Sequence, residues 1–265
     1  MTAQGPDSRP DLAAVSAFIG RPVPPIVDLD DIGSWPPAIR DFAEHWASAA
    51  GSTTRFADDL DLPDDAEDSF TALIGDRLVR AYHSTRLLKE EAAAIRRHGL
   101  IPLSEELATS RIRAACASGH LTATERDALL SGSVFASGNI IGRPGQVCAV
   151  VGRTVFDDDP AAVDLLLRLL GGEAIYWAHE RTALAGRLRT LGKPSIIVSN
   201  LRLTGYSRPP LFAPPLSRLF VGGLLQLPGI RGDVHCFGPV KPEDIADIWQ
   251  PGHREHDRHR RLPKR

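Results

Sequence analysis

Short segments with β-strand character are spread irregularly among helical segments along the chain, and this order limits its fold more than any other feature. We predict strands at residues 77–84, 146–156, 193–203 and 233–239, because apolar, β-branched and aromatic residues concentrate there. A doubly wound parallel sheet would instead require strands and helices in regular alternation. The sequence therefore predicts an α+β fold.

Capping signals indicate where several helices begin and end. A helix predicted over residues 88–98 has an apolar face and is followed by Gly99, a common helix stop. Ser104 is positioned to cap the next helix, and Thr122 opens a capping box with the glutamate three residues later. Pro160 suits the first turn of a further amphipathic helix.

Composition divides the chain into four parts. Residues 1–10 are small and polar, and we predict a disordered tail. Residues 11–75 are predicted to form a helical N-terminal extension, and residues 76–250 a core. Residues 251–265 are basic and lack an apolar stripe, so we expect a solvated tail that contributes little to folding.

Charge and cysteine usage limit the possible environments. The 265-residue chain has a formal net charge of −2, so no overall field favours nucleic acid or an anionic membrane, although the basic tail leaves nucleic acid open as a partner. Three widely spaced cysteines predict no disulfide framework and a reducing compartment. We find neither a signal-peptide pattern nor an apolar run of membrane-spanning length. We therefore expect a soluble cytoplasmic protein with no membrane partner.

Common nucleotide, hydrolase and metal motifs are not found. The chain has no phosphate-binding loop, and the glycines of residues 221–229 lack the strand-to-helix context of a dinucleotide fingerprint. It has no Gly-x-Ser-x-Gly and no His-Glu-x-x-His. Cys116 and His120 have a helical spacing that suits two metal ligands, but no further ligands lie near them in sequence. We interpret the pair as a core thiol and a surface histidine, and predict no metal site.

The first predicted strand runs into the polar sequence Tyr82-His83-Ser84-Thr85. A histidine there is either hydrogen-bonded to a backbone carbonyl or forms one wall of a site, where it can donate or accept at neutral pH. Thr85 can bind a ligand hydroxyl or cap the helix that follows. The residues alone leave both alternatives open.

Two motifs resemble those of the ADP-ribosyltransferase superfamily. Residues 82–85 and the following Ile95 to Leu100 resemble its first motif, in which Tyr/Trp-His-Gly-Thr precedes Ile-x-x-x-Gly-Leu. Residues 240–245, Val-Lys-Pro-Glu-Asp-Ile, resemble the Val-Pro-Pro-Glu-x-Ile turn after the last core strand. By itself, Glu243 is interpreted as a capping residue of a short helix that begins at Pro242.

The resemblance implies a split sheet that binds NAD. His83 and Thr85 would hold the nicotinamide ribose, and Arg86 would meet a phosphate of the pyrophosphate. Tyr176 would stack on nicotinamide, with Trp177 as the alternative. Both are equally explained as core aromatics on a helix.

The resemblance also implies a carboxylate that supports the developing ribosyl cation. The last strand would normally carry a glutamate, and this chain departs from that pattern. We predict Asp233 for the role, His235 second and Glu173 third. Asn139 and Arg143 lie in a glycine-rich loop and are either substrate contacts or turn residues.

The expected activity is NAD-dependent transfer of ADP-ribose to a protein, nucleic acid or small molecule. Two alternatives stay open. Water can replace the acceptor, which makes the protein an NAD glycohydrolase. Because the expected glutamate is missing, an interaction protein that kept the fold and lost the chemistry is the other alternative. The sequence does not identify the acceptor.

Overall fold

The computed structural model describes residues 24–50, 54–56, 59–136, 143–158, 160–172, 175, 178–227 and 230–259. The predicted disordered tail, residues 11–23 of the predicted N-terminal extension, and the last six residues of the basic tail lie outside these ranges.

Seven strands form one sheet in the described part of the chain. They are β1 (Ile26–Val27), β2 (Leu78–Leu87), β3 (Val147–Val151), β4 (Lys193–Leu201), β5 (Leu211–Ala213), β6 (Gly232–Cys236) and β7 (Ile245–Trp249). The order across the sheet is β5-β6-β3-β2-β4-β7, with every neighbouring pair antiparallel. β1 pairs in parallel with the start of β2. Helices and an antiparallel sheet together confirm the predicted α+β class.

Ten α-helices and two 3₁₀ turns accompany the sheet among the described residues. The α-helices are α1 (Pro37–Ala49), α2 (Ala66–Ile74), α3 (Lys89–His98), α4 (Glu105–Ala117), α5 (Ala123–Ser131), α6 (Val155–Asp158), α7 (Pro160–Arg168), α8 (Leu184–Thr190), α9 (Leu216–Leu224) and α10 (Arg254–Arg258). The 3₁₀ turns are Ile32–Ser34 and Pro242–Asp244. Within the ranges that the structure covers, no helix is both long and apolar enough to span a bilayer.

The predicted caps of α4 and α5 are present. The Ser104 hydroxyl accepts a hydrogen bond from the backbone N–H of Leu107 at 3.0 Å. Thr122 and Glu125 form the reciprocal capping box at the start of α5. These local signals were sufficient to locate both helix starts.

Alternating strand residues separate two apolar layers. One face of the sheet packs with α1, α2, α3 and α9, and it contains Val79, Ala81 and Ile197. The other face contains Tyr82, Ile196 and Val198, and packs with α6 and α7. A third apolar cluster joins α4, α5 and α8.

The N-terminal segment is part of the main core rather than a separate extension. Phe70 of α2 is fully buried, and its ring centroid lies 5.0 Å from that of Phe220 in α9. Trp35 packs on the same phenylalanine at 4.8 Å, and β1 extends the sheet. The predicted boundary near residue 75 therefore does not separate two packing units, because one apolar cluster crosses it.

The prediction of a solvated tail is wrong for residues 251–259. His256 and His259 are buried, and the Nδ1 atom of His259 lies 2.8 Å from the Asp157 carboxylate. The His259 ring also contacts Phe156 edge-on at 5.2 Å. The spacing of three between the histidines places them along a short helix, α10, that docks on the sheet.

The predicted short helix at Pro242 is also corrected. Pro242–Asp244 is a single 3₁₀ turn, and the chain then enters strand β7. Pairing of β7 with β4 explains the difference, since a five-residue strand gains its hydrogen bonds from a distant partner.

Candidate functional site

The sheet opens between β2 and β3. β2 pairs with β4 over nine residues, from Val79 to Leu87, but with β3 at only one, Tyr82 opposite Val150. His83 was predicted near the end of this strand, yet the strand continues to Leu87 because β4 supports its other edge. Beyond Tyr82, therefore, β2 and β3 border an opening rather than a ladder.

A cleft of about 500 Å³ occupies this opening, which is a size typical of small-molecule sites. Four of the predicted site residues line it: His83, Thr85, Arg143 and Asp233. Its other polar lining includes Ser84, Glu91, His98, Arg111, Gln146, Cys148 and Arg231. Apolar side chains of α3 and of the α3–α4 connection complete one wall, among them Ile95, Leu100 and Leu103.

The His83 imidazole bridges the two diverging strands. Its Nδ1 atom lies 2.6 Å from the backbone carbonyl oxygen of Cys148 on β3. Because a carbonyl only accepts, Nδ1 carries the proton, and Nε2 is the acceptor in the neutral ring. Burial lowers the pKa of His83, and the nearby charge of Arg111 lowers it further. The ring is thus neutral near pH 7, and its Nε2 forms no hydrogen bond within the described residues.

Thr85 lies two residues further along β2, on the same face of the strand. It belongs to the strand, and α3 begins only at Lys89, so the alternative of Thr85 as a helix cap is wrong. A β-carbon added to Gly172 would lie 3.4 Å from the Thr85 hydroxyl. The turn at Gly171 and Gly172, both with positive φ, therefore closes over this hydroxyl.

Arg86 does not line the cleft. Side chains alternate along a strand, so Arg86 points to the opposite face from Thr85. It is 3% exposed, and its guanidinium donates to the carbonyl oxygens of Leu167 and Leu191. The predicted contact between Arg86 and a phosphate is therefore corrected to a structural role that joins α7 to the segment before β4.

Asp233 and His235 project from the same face of β6. Asp233 is exposed and lines the cleft, and its carboxylate forms no hydrogen bond within the described residues. His235 lies further along the strand and is not part of the cleft lining; its Nδ1 is 3.0 Å from the Gln146 side-chain oxygen and 3.5 Å from the Cys148 sulfur. Burial and the charge of Arg143 lower the pKa of His235. Asp233 is thus the better placed of the two.

Arg111 of α4 is a cleft residue that the sequence predictions missed. Its Nε donates to Glu91 at 2.6 Å, and its Nη1 reaches the Gly171 carbonyl oxygen at 3.5 Å. Its Nη2 is buried and has no hydrogen-bond partner among the described residues. A signal was present in the sequence, because Arg111 interrupts the apolar helix face of Ala108, Ile112 and Ala115.

The two motifs that carry the family resemblance meet in space. Leu100 and Val240 form a two-way backbone bridge, with N–H to O distances of 2.9 and 3.0 Å. Gly99 has a φ of 79°, and an added β-carbon would lie 1.9 Å from the Val240 carbonyl oxygen. Only glycine fits this close approach, so the Gly-Leu of the first motif packs directly against the start of the second.

Three predicted site residues lie outside the described residues: Asn139, Glu173 and Tyr176. The same holds for Trp177, the alternative to Tyr176. Their predicted roles stay predictions.

Comparisons with protein-family models, with curated proteins and with solved structures find no match. The class of ligand that the cleft could bind is therefore inferred from its lining residues alone. Three arginines and two carboxylates line it, and one of those carboxylates, Glu91, is paired with Arg111. A neutral acceptor at His83, a hydroxyl at Thr85 and an excess of positive charge suit a ligand that has both hydroxyl groups and an anionic group.

Proposed function

We propose that this protein transfers ADP-ribose from NAD to an acceptor, using an ADP-ribosyltransferase-like core over residues 76–250. One observation carries the proposal: β2 and β3 part beyond Tyr82, and the cleft between them is lined by His83 and Thr85 from one face of the sheet and by Asp233 from the other. The motif resemblance supports it, because its two halves are in contact at Leu100 and Val240.

His83 and Thr85 would bind the nicotinamide ribose. The Nε2 atom of a neutral His83 accepts a hydrogen bond from a ribose hydroxyl, while the Cys148 carbonyl fixes the ring through Nδ1. The Thr85 hydroxyl can donate or accept beside it. Tyr176 is retained in the proposal as the residue that stacks on nicotinamide, on the resemblance alone.

Asp233 would stabilise the transition state. The bond between C1′ of the ribose and the nicotinamide nitrogen breaks, and its electron pair leaves with neutral nicotinamide. The nucleophilic atom of the acceptor forms the new bond to C1′ and loses its proton to solvent. A carboxylate near the ribose favours the positive charge that develops between these two events.

NAD hydrolysis is the second candidate function. Asp233 is exposed to solvent, so water can reach the carboxylate side of the cleft. The same bond would break, and water would take the place of the acceptor.

The test uses NAD labelled in its adenylate part, incubated with the full chain alone and with cell extract as a source of acceptors. Release of nicotinamide together with label on a macromolecule or a small molecule other than free ADP-ribose supports transfer. Release with free ADP-ribose as the only labelled product supports hydrolysis. Binding without release indicates an inactive relative, and neither binding nor release refutes the proposal.

We predict that Asp233→Asn lowers turnover by on the order of a hundredfold and leaves NAD affinity nearly unchanged. The substitution keeps the shape and removes the charge, which matters most in the transition state. Asp41→Asn is the matched control, because Asp41 is exposed on α1 and does not line the cleft. Equal turnover of Asp233→Asn and wild type would exclude Asp233 from the chemistry.

We predict that His83→Ala weakens NAD binding about five- to 150-fold, since it removes a hydrogen bond in a desolvated cleft. Calorimetric titration with NAD measures the change. Unaltered affinity would mean that His83 only joins the two strands.

A further inference from the structure

We propose that Arg111 forms a phosphoryl-binding subsite of the cleft, and that its ligand is the pyrophosphate of a dinucleotide. This inference rests on the proposed function for the identity of the ligand. Arg111 takes the phosphate-binding role that was predicted for Arg86, whose guanidinium donates to backbone carbonyl oxygens on the other face of the sheet.

The Arg111 guanidinium forms a short hydrogen bond through its Nε atom and a long one through its Nη1 atom. Its Nε is 2.6 Å from one carboxylate oxygen of Glu91, whose other oxygen accepts a hydrogen bond from the Leu88 N–H at the start of α3. Its Nη1 contact with the Gly171 carbonyl is at the outer limit of a hydrogen bond, 3.5 Å. The side chain can therefore pivot about its Nε contact and turn its outer edge toward the cleft.

Rotation of the Arg111 side chain toward the cleft would let its Nη2 atom form a hydrogen bond. It is a buried donor without a partner in the described part of the chain, and a buried donor left unsatisfied is unfavourable. An anion that enters the cleft beside Arg111 would accept from Nη2. The planar guanidinium suits a phosphoryl group, because two of its N–H groups can bind two oxygens at once.

The position of Arg111 matches the proposed ribose site. Arg111 contacts Gly171, and the neighbouring Gly172 lies against the Thr85 hydroxyl. In a dinucleotide a single methylene group separates the ribose ring from the first phosphoryl oxygen. A ribose held by His83 and Thr85 would thus place its pyrophosphate next to Arg111. Arg143 and Arg231 line the same cleft and add positive charge.

The experiment is a calorimetric titration of the full chain and three variants with NAD, ADP and inorganic pyrophosphate. Arg111→Met is expected to weaken binding of all three ligands about ten- to a hundredfold, the usual effect of losing a hydrogen bond to a charged group. Arg111→Lys keeps the charge but loses the two parallel N–H donors of the guanidinium, so we expect a smaller loss of affinity. Arg113→Met is the matched control; it removes an arginine from the same helix, where Arg113 is exposed and lies outside the cleft. We expect it to bind like wild type.

The outcomes separate this inference from the proposed function. If Arg111→Met binds NAD as tightly as wild type, the subsite is refuted and NAD binding stands. If wild type binds ADP and pyrophosphate but not NAD, and Arg111→Met loses that binding, the subsite stands and the proposed function fails. A loss of the same size in the Arg113→Met control, or no binding of any of the three ligands by wild type, refutes the subsite. Thermal melts of the variants show whether each is folded. If Arg111→Met does not fold, the comparison of Arg111→Lys with wild type provides the test.

Discussion

The imidazole of His83 connects two strands that no longer share a ladder. Its Nδ1 proton is committed to the Cys148 carbonyl, and this bond leaves one acceptor for a ligand. The sequence left open a carbonyl-bonded histidine or a wall of a site; the ring is bonded to a carbonyl, and it also lines the cleft. A second histidine, His179, is buried elsewhere and contacts the Leu129 carbonyl.

Acid should destabilise the folded protein through these two rings. Burial lowers the pKa of His83 and of His179 below the usual 6.5, so the unfolded chain takes up these protons first. The contribution to stability is fully present above pH 6.5 and is lost as the pH falls toward the lowered folded pKa values. Each group adds a slope of at most about 1.4 kcal/mol per pH unit.

We predict that His83→Gln and His179→Gln each make the free energy of unfolding less dependent on pH between about 6.5 and 5. Urea titrations at several pH values measure this slope. Only His83→Gln should also change NAD affinity, since His179 is not a cleft residue. A slope that neither substitution alters would mean that other groups cause the acid sensitivity.

The error at Arg86 follows from the length of β2, which was predicted too short. His83 and Thr85, which the motif singled out, both line the cleft, but the predicted strand stopped at Ser84. Had it extended to Leu87, side-chain alternation would have excluded Arg86 from the side of Thr85. The extension depends on pairing with β4, more than 100 residues away, which no local pattern reports.

Helices with strong local signals and four strands rich in apolar residues were predicted, whereas β5, β7 and α9 were not. Helices α3, α4 and α5 have caps or glycine stops that act within a few residues. Strand β5 has only three residues, too few to show a period, and helix α9 contains two glycines, which lower its helix propensity. Their formation follows from packing and pairing in the complete fold.

Helix α10 gives the clearest test at this scale. A chain that ends at Gly252 loses the buried rings of His256 and His259 and the contact with Phe156. We expect a loss of about 2 kcal/mol, or roughly 4–8 °C in melting temperature. Arg254→Ala, at an exposed residue of the same helix, should melt like wild type. An unchanged melting temperature of the shortened chain would show that the docking of α10 contributes nothing.

At the scale of the whole molecule, the segment before β2 and the strands that border the cleft share one apolar cluster. The cluster that includes Trp35, Ile39 and Phe70 continues without interruption to β2 and β3. Composition suggested a boundary because this segment is rich in helices and the core in strands. Composition does not report which apolar faces meet, and the aromatic contacts with Phe220 decide the matter.

We predict that Phe70→Ala lowers the free energy of unfolding by about 3–5 kcal/mol, because the ring is fully buried. Phe56→Ala, also upstream of β2 but 57% exposed, should change it by less than about 0.5 kcal/mol. Both proteins should unfold in a single calorimetric transition. Two transitions, of which Phe70→Ala moves only one, would restore an independent N-terminal unit.

The opening between β2 and β3 also affects how such a protein can evolve. Beyond Tyr82 the facing edges of β2 and β3 border a cavity instead of pairing. The polar groups along these edges are main-chain N–H and C=O groups. Substitution changes side chains and leaves these groups in place. A ligand held through these groups would therefore meet the same backbone surface after most side-chain substitutions in the two strands.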